Sequence, residues 1–558
     1  MGSSTDFPQR EVMGVIMEQG RLLIAIVLSV LVFTIWGFFF QDNTPPQQQA
    51  VQAPTEAPSP ADKPAAGPAS AILETSLPAF QKTKDLVVNT PLYSVSISDK
   101  GAFFKHFVLK NYRESVQPDA PNKEMVSLPG TGTLHLSFTS NSIPDFNEAI
   151  FLSTVSADSL DIQGVSQEVS FQWISSTGIV IEKHFTFYPD SYLIGLDIII
   201  KNDSGKIIQD HPALSLTGKF VEAKNSYGFE GPSIYVNKTL EQIAVKDIEK
   251  KNVYTGRIDW TCLEERYFLS SIVPVAPADA NIRLSFTNNR LDTSLEEPEI
   301  HLASGAQQKY SYKVYMGPKS LSILSSLNIG LDRAIHFGFF DILAKPLLQL
   351  LNFLHGFIPN YGAAIIVLTL IIKAVLWPLG SKSYKSMSEM KKIQPLMAQI
   401  REKYKDDKKK MNEETMALYK TYKVNPLGGC LPMVIQIPVF FALYRMLYEA
   451  IELRHAPFIG WINDLSAPDR LMHFSFSIPF MEPPYGIPVL TIIMGATMFI
   501  QQKMSPPMGD PAQAKMMMMM PIVFTFIFIN FSSGLVLYWL VNNIVSISQQ
   551  YYIQRKYA

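Results

Sequence analysis

Cysteine is nearly absent from this chain. Cys262 and Cys430 are the only two in 558 residues, which excludes a disulfide framework. Charge of one sign is also lacking: the net charge is −1, so no overall excess points to nucleic acid. The nine histidines are scattered, and the chain has no HExxH, no paired CxxC and no GxSxG elbow. Those absences remove the usual sequence marks of zinc hydrolases, thiol redox enzymes and serine hydrolases. No metal and no small-molecule cofactor is expected. His184 and His211 read as ordinary sheet or turn residues. Glu264 and Glu265 sit near Trp260, but neighbours on a strand face opposite ways, so they make a poor acid pair.

Long hydrophobic runs are what the chain does have. Residues 22–40, LLIAIVLSVLVFTIWGFFF, carry no charge over 19 positions. At 1.5 Å per residue the run covers roughly 28 Å, about the hydrocarbon thickness of a bilayer. A cleaved leader has a shorter apolar core and a small-residue cleavage site, so an uncleaved anchor is expected, with residues 1–21 cytoplasmic. Met17 opens a short N-region, and residues 1–16 read as an upstream extension or a cloning scar. Five more spans are expected late in the chain, at 361–380, 427–450, 487–503, 516–531 and 533–552. The last two are joined through Phe531-Ser532-Ser533-Gly534 as a tight helical hairpin.

Loop charge sets the orientation. Residues 381–426 carry twelve Lys/Arg against six acidic residues, whereas loop 451–486 carries only Arg454 and Arg470. The first is expected in the cytoplasm and the second outside. Loop 504–515 and the tail 553–558, with Arg555 and Lys556, fall on the cytoplasmic side. Six spans with both termini inside satisfy this pattern. Everything between the first two spans is then exported, and the two cysteines cannot pair.

The exported part divides in two. Residues 41–78 are rich in Pro, Ala and Gln and read as a flexible tether. Residues 79–325 show short alternating runs such as YSVSIS (93–98), EVSFQWIS (168–175), GIVIEKHFTFY (178–188) and YLIGLDIIIKN (192–202). Turn residues punctuate them, which predicts antiparallel strands in a large β-sandwich. Residues 330–358 follow. Lys345, Gln349, Asn352 and His355 form a polar stripe there, which predicts an amphipathic helix lying in the membrane interface.

The basic segment 381–426 predicts a two-helix hairpin, kinked at Pro395. Met387, Met390, Ile393, Met397, Ile400 and Tyr404 give its first apolar face, and Met411, Leu418 and Tyr422 its second. Its tip, with Lys408, Lys409 and Lys410, is either a solvated loop that fixes topology or a docking arm for a partner.

Lys373 is the anomaly of the late spans. An ammonium central in a membrane costs roughly 2.5–3.5 kcal/mol on insertion scales. It either snorkels to the headgroups or faces a wet cavity. The cavity is favoured because other polar groups recur on single helix faces. Thr369 shares the face of Lys373. Gln436, Phe440 and Tyr444 share another. Thr497 and Gln501 lie on a third, and Tyr538, Asn542, Ser546 and Gln549 on the last span. Each is unfavourable against lipid, so they should converge. No Asp or Glu is read within a span, and no inverted repeat is seen, which argues against a transporter. Methionines at 494, 498, 504, 508 and 516–520 offer an adaptable apolar surface or simple membrane filler.

The segments NPLGGCLPMVIQIPVFFALYRMLYEAIELRHAPFIGWINDLSAPD (425–469), QQKMSPP (501–507) and MPIVFTFIFINFSSGLVLYWLVNN (520–543) closely resemble the YidC membrane protein insertase family. With the basic hairpin and the exported β-domain behind an anchor, the resemblance is to its Gram-negative form. It extends over nearly the whole chain from Met17. It implies a polytopic α-helical protein of the bacterial inner membrane, with a five-helix core around a hydrophilic groove open to cytoplasm and lipid. It also implies a periplasmic supersandwich like that of sugar mutarotases, without implied catalysis. The implied work is insertion and chaperoning of nascent membrane proteins, alone or with the Sec translocon, supplied by ribosomes and the signal recognition particle. The groove would be lined by Lys373, Thr369, Gln436, Thr497, Gln501, Tyr538, Asn542 and Ser546. Phe440, Met494, Phe526 and Trp539 would form a hydrophobic slide. Where the family usually has arginine, this chain has Lys373, which keeps the charge but loses the planar fork. The rival readings are a solute transporter or channel and a membrane-anchored sugar-binding or sugar-modifying protein.

Overall fold

A computed structural model of the chain describes residues 85–557, except Pro129, 222–227, Lys423, 425–430 and 506–510; the side chains of Lys408, 431–435, 511–514 and Tyr557 fall outside the description. The expected anchor 22–40, its tether 41–78 and Cys430 lie outside the described residues.

The first part is almost entirely strand, from Leu86–Asn89 to Gln307–Pro318. Alternation in the sequence becomes alternation in burial. In Leu193–Asn202, Ile194, Leu196, Ile198 and Ile200 are buried while the residues between them are only partly covered. This strand pairs antiparallel with Ile179–Phe187 on one side and Gln307–Pro318 on the other, inside a sheet of thirteen strands. Strand Val253–Glu264 binds its first half to Asp279–Thr287 and its second half to Phe268–Pro274, which joins the two wings of that sheet. A second sheet of five strands is built on Phe104–Arg113, Tyr93–Ile97 and Leu86–Asn89. Trp260 is fully buried, stacks on Tyr235 with centroids 5.6 Å apart, and donates its indole N–H to the Gly330 carbonyl at 3.1 Å. That bond ties the strands to the segment leading out of the domain.

Helices make up most of the rest: α1 (Leu321–Ser326), α2 (Asp341–Phe357), α3 (Tyr361–Lys403), α4 (Lys408–Thr421), α5 (Leu431–Glu449), α6 (Val489–Met504), α7 (Pro511–Phe528) and α8 (Ser533–Tyr557). Helix α3 packs on α8, α6 packs on both α7 and α8, and α2 packs on α5. By length and composition one of the described helices, α3, suffices to cross a membrane, and Lys515–Phe528 is a shorter apolar stretch.

Several expectations shift. Residues 361–380 and the first arm of the basic hairpin form one helix of 43 residues, with Pro378 and Pro395 inside it. At 1.5 Å per residue it measures about 65 Å, about twice a hydrocarbon core. In its basic half Met390, Ile393 and Met397 pack against Leu418, Tyr419 and Val424, while Tyr422 is exposed. Helix α2 starts at Asp341, which pairs with Lys345 at 3.0 Å. Its stripe turns partly inward: Asn352 reaches Glu452 at 3.4 Å, and His355 stacks on Tyr361. Gln349 of the stripe is exposed, and so are the apolar Phe339, Ile342, Phe353 and Phe357. Helix α5 ends on Glu449, buried and paired with Arg445 at 3.3 Å, so an acidic side chain does sit at the end of an expected span. It was missed because apolar residues surround it in sequence.

Candidate functional site

Helix α3 begins at Asn360, whose side chain caps the helix through the Ala363 N–H at 3.0 Å and donates to the Phe458 carbonyl at 3.0 Å. This fixes the entry of α3 and so the depth of Lys373, thirteen residues further on. The Lys373 ammonium donates to Ser546 Oγ of α8 at 2.7 Å. Ser546 in turn donates to the Asn542 carbonyl at 2.7 Å, and Gln436 of α5 donates to Asn542 Oδ1 at 2.5 Å. Three helices thus meet through polar atoms alone. Beside them Gln549 donates to the Trp377 carbonyl at 3.0 Å and to Ser381 Oγ at 3.2 Å. The contact is this close because position 380 is glycine: a Cβ there would come within 3.0 Å of the Gln549 amide.

Lys373, Leu376, Leu379, Gly380, Tyr384, Gln436 and Gln549 line a cavity of about 380 Å³, a volume that includes open solvent. Tyr384 lies against Ser546 and Gln501. Further along α5 and α8, toward the β domain, aromatic side chains cluster. Phe440 meets Trp539 edge to face at 4.7 Å, and Phe528, Phe531 and Tyr444 close around them. These rings pack on one another and do not line the cavity, whose own walls are polar and aliphatic apart from Tyr384.

The residues singled out from sequence divide. Lys373, Gln436, Asn542 and Ser546 come together as one hydrogen-bonded cluster. Thr497 is bonded on a separate contact, accepting from Asn543 at 3.2 Å and donating to the Met494 carbonyl. Thr369, expected on the wall beside Lys373, is instead buried and back-bonded to Ile365 O at 2.7 Å. A threonine in a helix can satisfy its hydroxyl on the preceding turn without a polar neighbour. Tyr538 is buried as well. Of the expected slide, Phe440 and Trp539 belong to the aromatic cluster and Phe526 is exposed on α7, but Met494 is fully buried core. Helical period marks a face without saying whether lipid or a neighbour covers it. Lys409 and Lys410 are exposed at the start of α4, where Asp407 caps the helix through the Lys410 N–H. Tyr384, Gly380 and Asn543 were not foreseen. For Asn543 a signal existed, since Gln550 lies seven residues on along the same face.

A second opening, in the β domain, is lined by Thr217, Lys219, Phe220, Glu264 and Glu265. Glu264 is buried against Lys319 at 2.6 Å, while Glu265 points the other way to Lys123 at 3.0 Å. His184 contacts Ser170 at 2.7 Å and Glu168 at 3.0 Å on the sheet surface, and His211 contacts the Glu297 carbonyl at 3.2 Å. Residues from both parts meet at a polar junction. Arg266 donates to the Tyr448 carbonyl at 2.9 Å and stacks on its ring, and Arg454 donates to the Arg113 carbonyl at 2.6 Å. Ser320 donates to Glu452 at 3.1 Å.

Two family models match the chain: the YidC periplasmic domain over residues 85–350 and the 60Kd inner membrane protein over residues 353–558. A membrane protein insertase YidC of Syntrophus aciditrophicus is 43% identical, with 96% of this chain and 99% of that protein covered. The corresponding protein of Geobacter sulfurreducens is 40% identical, with 96% and 98% covered. Among solved structures, an active YidC insertase with its first transmembrane domain resolved matches at 20% identity and a TM-score of 0.37, covering 85% of this chain and 93% of that one. A galactose mutarotase related enzyme from Lactobacillus acidophilus matches 42% of this chain at 9% identity and a TM-score of 0.32.

Proposed function

This chain belongs to the YidC family of membrane protein insertases, and from that premise we propose that the polar end of a substrate enters the bundle at the wet cleft around Lys373. The family's work is the insertion of membrane proteins at the inner membrane, so the substrates are nascent membrane chains in contact with lipid. One observation carries the finer reading: Lys373 meets a serine hydroxyl at 2.7 Å beside a cavity, and among the described residues no carboxylate lies within ion-pair distance of it. The ammonium is solvated but not neutralised. An arriving acidic or polar tail would find positive charge and hydrogen-bonding walls in a place where lipid offers neither.

The substrate's apolar segment then passes into lipid along α5 and α7, past Phe440 and Phe526. The aromatic cluster holds the far end shut, so the tail is sheltered without opening a pore. Exchange of water for lipid around the segment supplies the drive, and no nucleotide is needed. In this reading the chain has six spans: the anchor 22–40, then α3 and α5 to α8. Both termini are cytoplasmic, and the β domain is a periplasmic supersandwich. Lys409 and Lys410 on the basic hairpin face the ribosome and the signal recognition particle, and the Sec translocon is a partner for larger substrates.

Replacement in depleted cells tests the reading, with insertion of a small two-span substrate scored. Lys373→Arg is expected to restore insertion, because it keeps the charge. Lys373→Ala is expected to reduce it about tenfold, the scale of roughly 1.4 kcal/mol in a binding step. Full activity of the alanine variant would end the charged-groove reading. A photocrosslinker at Phe440 should capture nascent chains; at Tyr538, 2% exposed, capture requires the bundle to open. A solute channel would instead pass a small solute across vesicles without any nascent chain, which the aromatic cluster argues against.

A further inference from the structure

We propose that the loop joining α5 to α6 is a lipid anchor, whose hairpin tip inserts into the periplasmic leaflet of the membrane. Strands Leu471–Phe474 and Tyr485–Ile487 pair antiparallel, and residues 475–484 form the tip. The inference rests on the chain spanning the membrane as its family does, and not on the groove.

The root of this hairpin is fastened to the ends of the bundle. Arg470 is buried, donating to the Pro484 carbonyl at 2.8 Å within the hairpin and to the Ile529 carbonyl at 2.7 Å just beyond α7. Asn530 accepts from the Glu482 N–H at 2.9 Å and donates to the Phe480 carbonyl at 2.9 Å. Asp469 accepts from the Trp461 indole and from the Leu490 N–H at the start of α6. Backbone groups of Phe480, Glu482 and Pro484 are therefore bonded within the protein, which lowers the cost of bringing that side of the tip into lipid. The same loop carries Arg454, which bonds the β domain, so the hairpin lies on the periplasmic side.

The tip itself is built against water. Met472 is 66% exposed, Phe476 62% and Phe480 84%, and Phe474 stacks on Phe476 with centroids 5.2 Å apart. From Leu471 to Ile487 the only Asp, Glu, Lys or Arg is Glu482. A loop rooted where spans emerge, apolar at its end and lacking basic residues, suits the acyl boundary better than the headgroup charge. The occupant is lipid because this surface runs into the exposed apolar belt of the bundle. Ile492 and Ile493 open α6 just after the second strand, both exposed. A lone apolar patch would leave the partner open, but here the patch continues the face that a membrane protein gives to lipid.

Full-length protein carrying Cys430→Ser, with buried Cys262 left in place, is labelled with an environment-sensitive dye at Phe476→Cys or Phe480→Cys. Asp119→Cys, exposed on the β domain, is the control. In vesicles of phosphatidylethanolamine and phosphatidylglycerol, a doxyl lipid should quench both tip positions at least about threefold more than the control, with the order reversed for an aqueous quencher. Aqueous quenching of the tip equal to that of the control overturns the proposal. So does shielding from both quenchers that grows with the protein-to-lipid ratio, since that assigns the tip to a second copy or a protein partner. Insertion of a nascent substrate is scored on the same samples. Normal insertion with a water-exposed tip sinks the anchor alone, while a lipid-quenched tip with Lys373→Ala fully active sinks the groove alone.

Discussion

Lys319, at the junction of the β domain with the bundle, and Lys373, inside the bundle, have surroundings that differ in kind. Lys319 meets Glu264 at 2.6 Å with both side chains buried, and Glu449 and Arg445 extend the charges beyond. Burial draws the Lys319 ammonium down, but the nearby carboxylates of Glu264 and Glu449 outweigh it and leave its pKa raised. Lys373 has a hydroxyl instead. A buried charge matched by a buried countercharge is a fastening, because each would be orphaned without the other. A charge met only by dipoles has no countercharge that its removal would orphan. Lys183 is a third variant. It is buried in the β domain, held by the Gly101 and Ala102 carbonyls at 2.7 and 3.2 Å.

The largest effect that can break this comparison is at the junction. Glu264→Gln leaves the Lys319 ammonium buried beside a neutral amide and is expected to cost about 3–5 kcal/mol. Denaturant melts of the full chain in detergent read it directly. A paired replacement, Glu264→Leu with Lys319→Met, should recover most of the loss, and no recovery would show the pair to be more than a matched charge.

Lys183 gives the next effect, as a pH dependence. Burial pushes its pKa down to about 7, from 10.5 when exposed. The unfolded chain therefore keeps this proton to higher pH than the folded one, so stability rises with pH through that window. The slope is at most about 1.4 kcal/mol per pH unit. Lys183→Met should flatten it, and an unchanged slope would place its origin elsewhere.

Lys373→Met sharpens the contrast from the other side. With no carboxylate left behind, it should change stability by less than about 1 kcal/mol, or raise it, while insertion falls. A loss as large as that of Glu264→Gln would make Lys373 a fastening too. The smallest effect belongs to the exposed tip of the basic hairpin. Lys409→Ser with Lys410→Ser should leave stability within about 0.5 kcal/mol, yet weaken salt-dependent association with ribosomes in sedimentation assays.

Period-two alternation in 192–202 and the other quoted runs was enough to place strands, because one buried face imposes it. The closeness of Gln436, Asn542 and Ser546 to Lys373 was legible only as a tendency of polar faces to converge. Thr369 and Met494 mark its limit: one satisfies its hydroxyl on its own helix, and the other is covered by neighbours. Nothing local distinguishes those outcomes from a wall or a slide.

By itself the sequence determined the apolar runs, the charge contrast between loops 381–426 and 451–486, the period of the strands, and the presence of one lysine where an ammonium is costly. These follow from hydrophobicity and chain geometry, which act over a few residues. Only the tertiary structure decided which lysine is neutralised. Glu264 lies 55 positions before Lys319, and Ser546 lies 173 after Lys373. A partner at such a separation is chosen by how sheets and helices pack, and that choice gives one lysine a carboxylate and the other a hydroxyl.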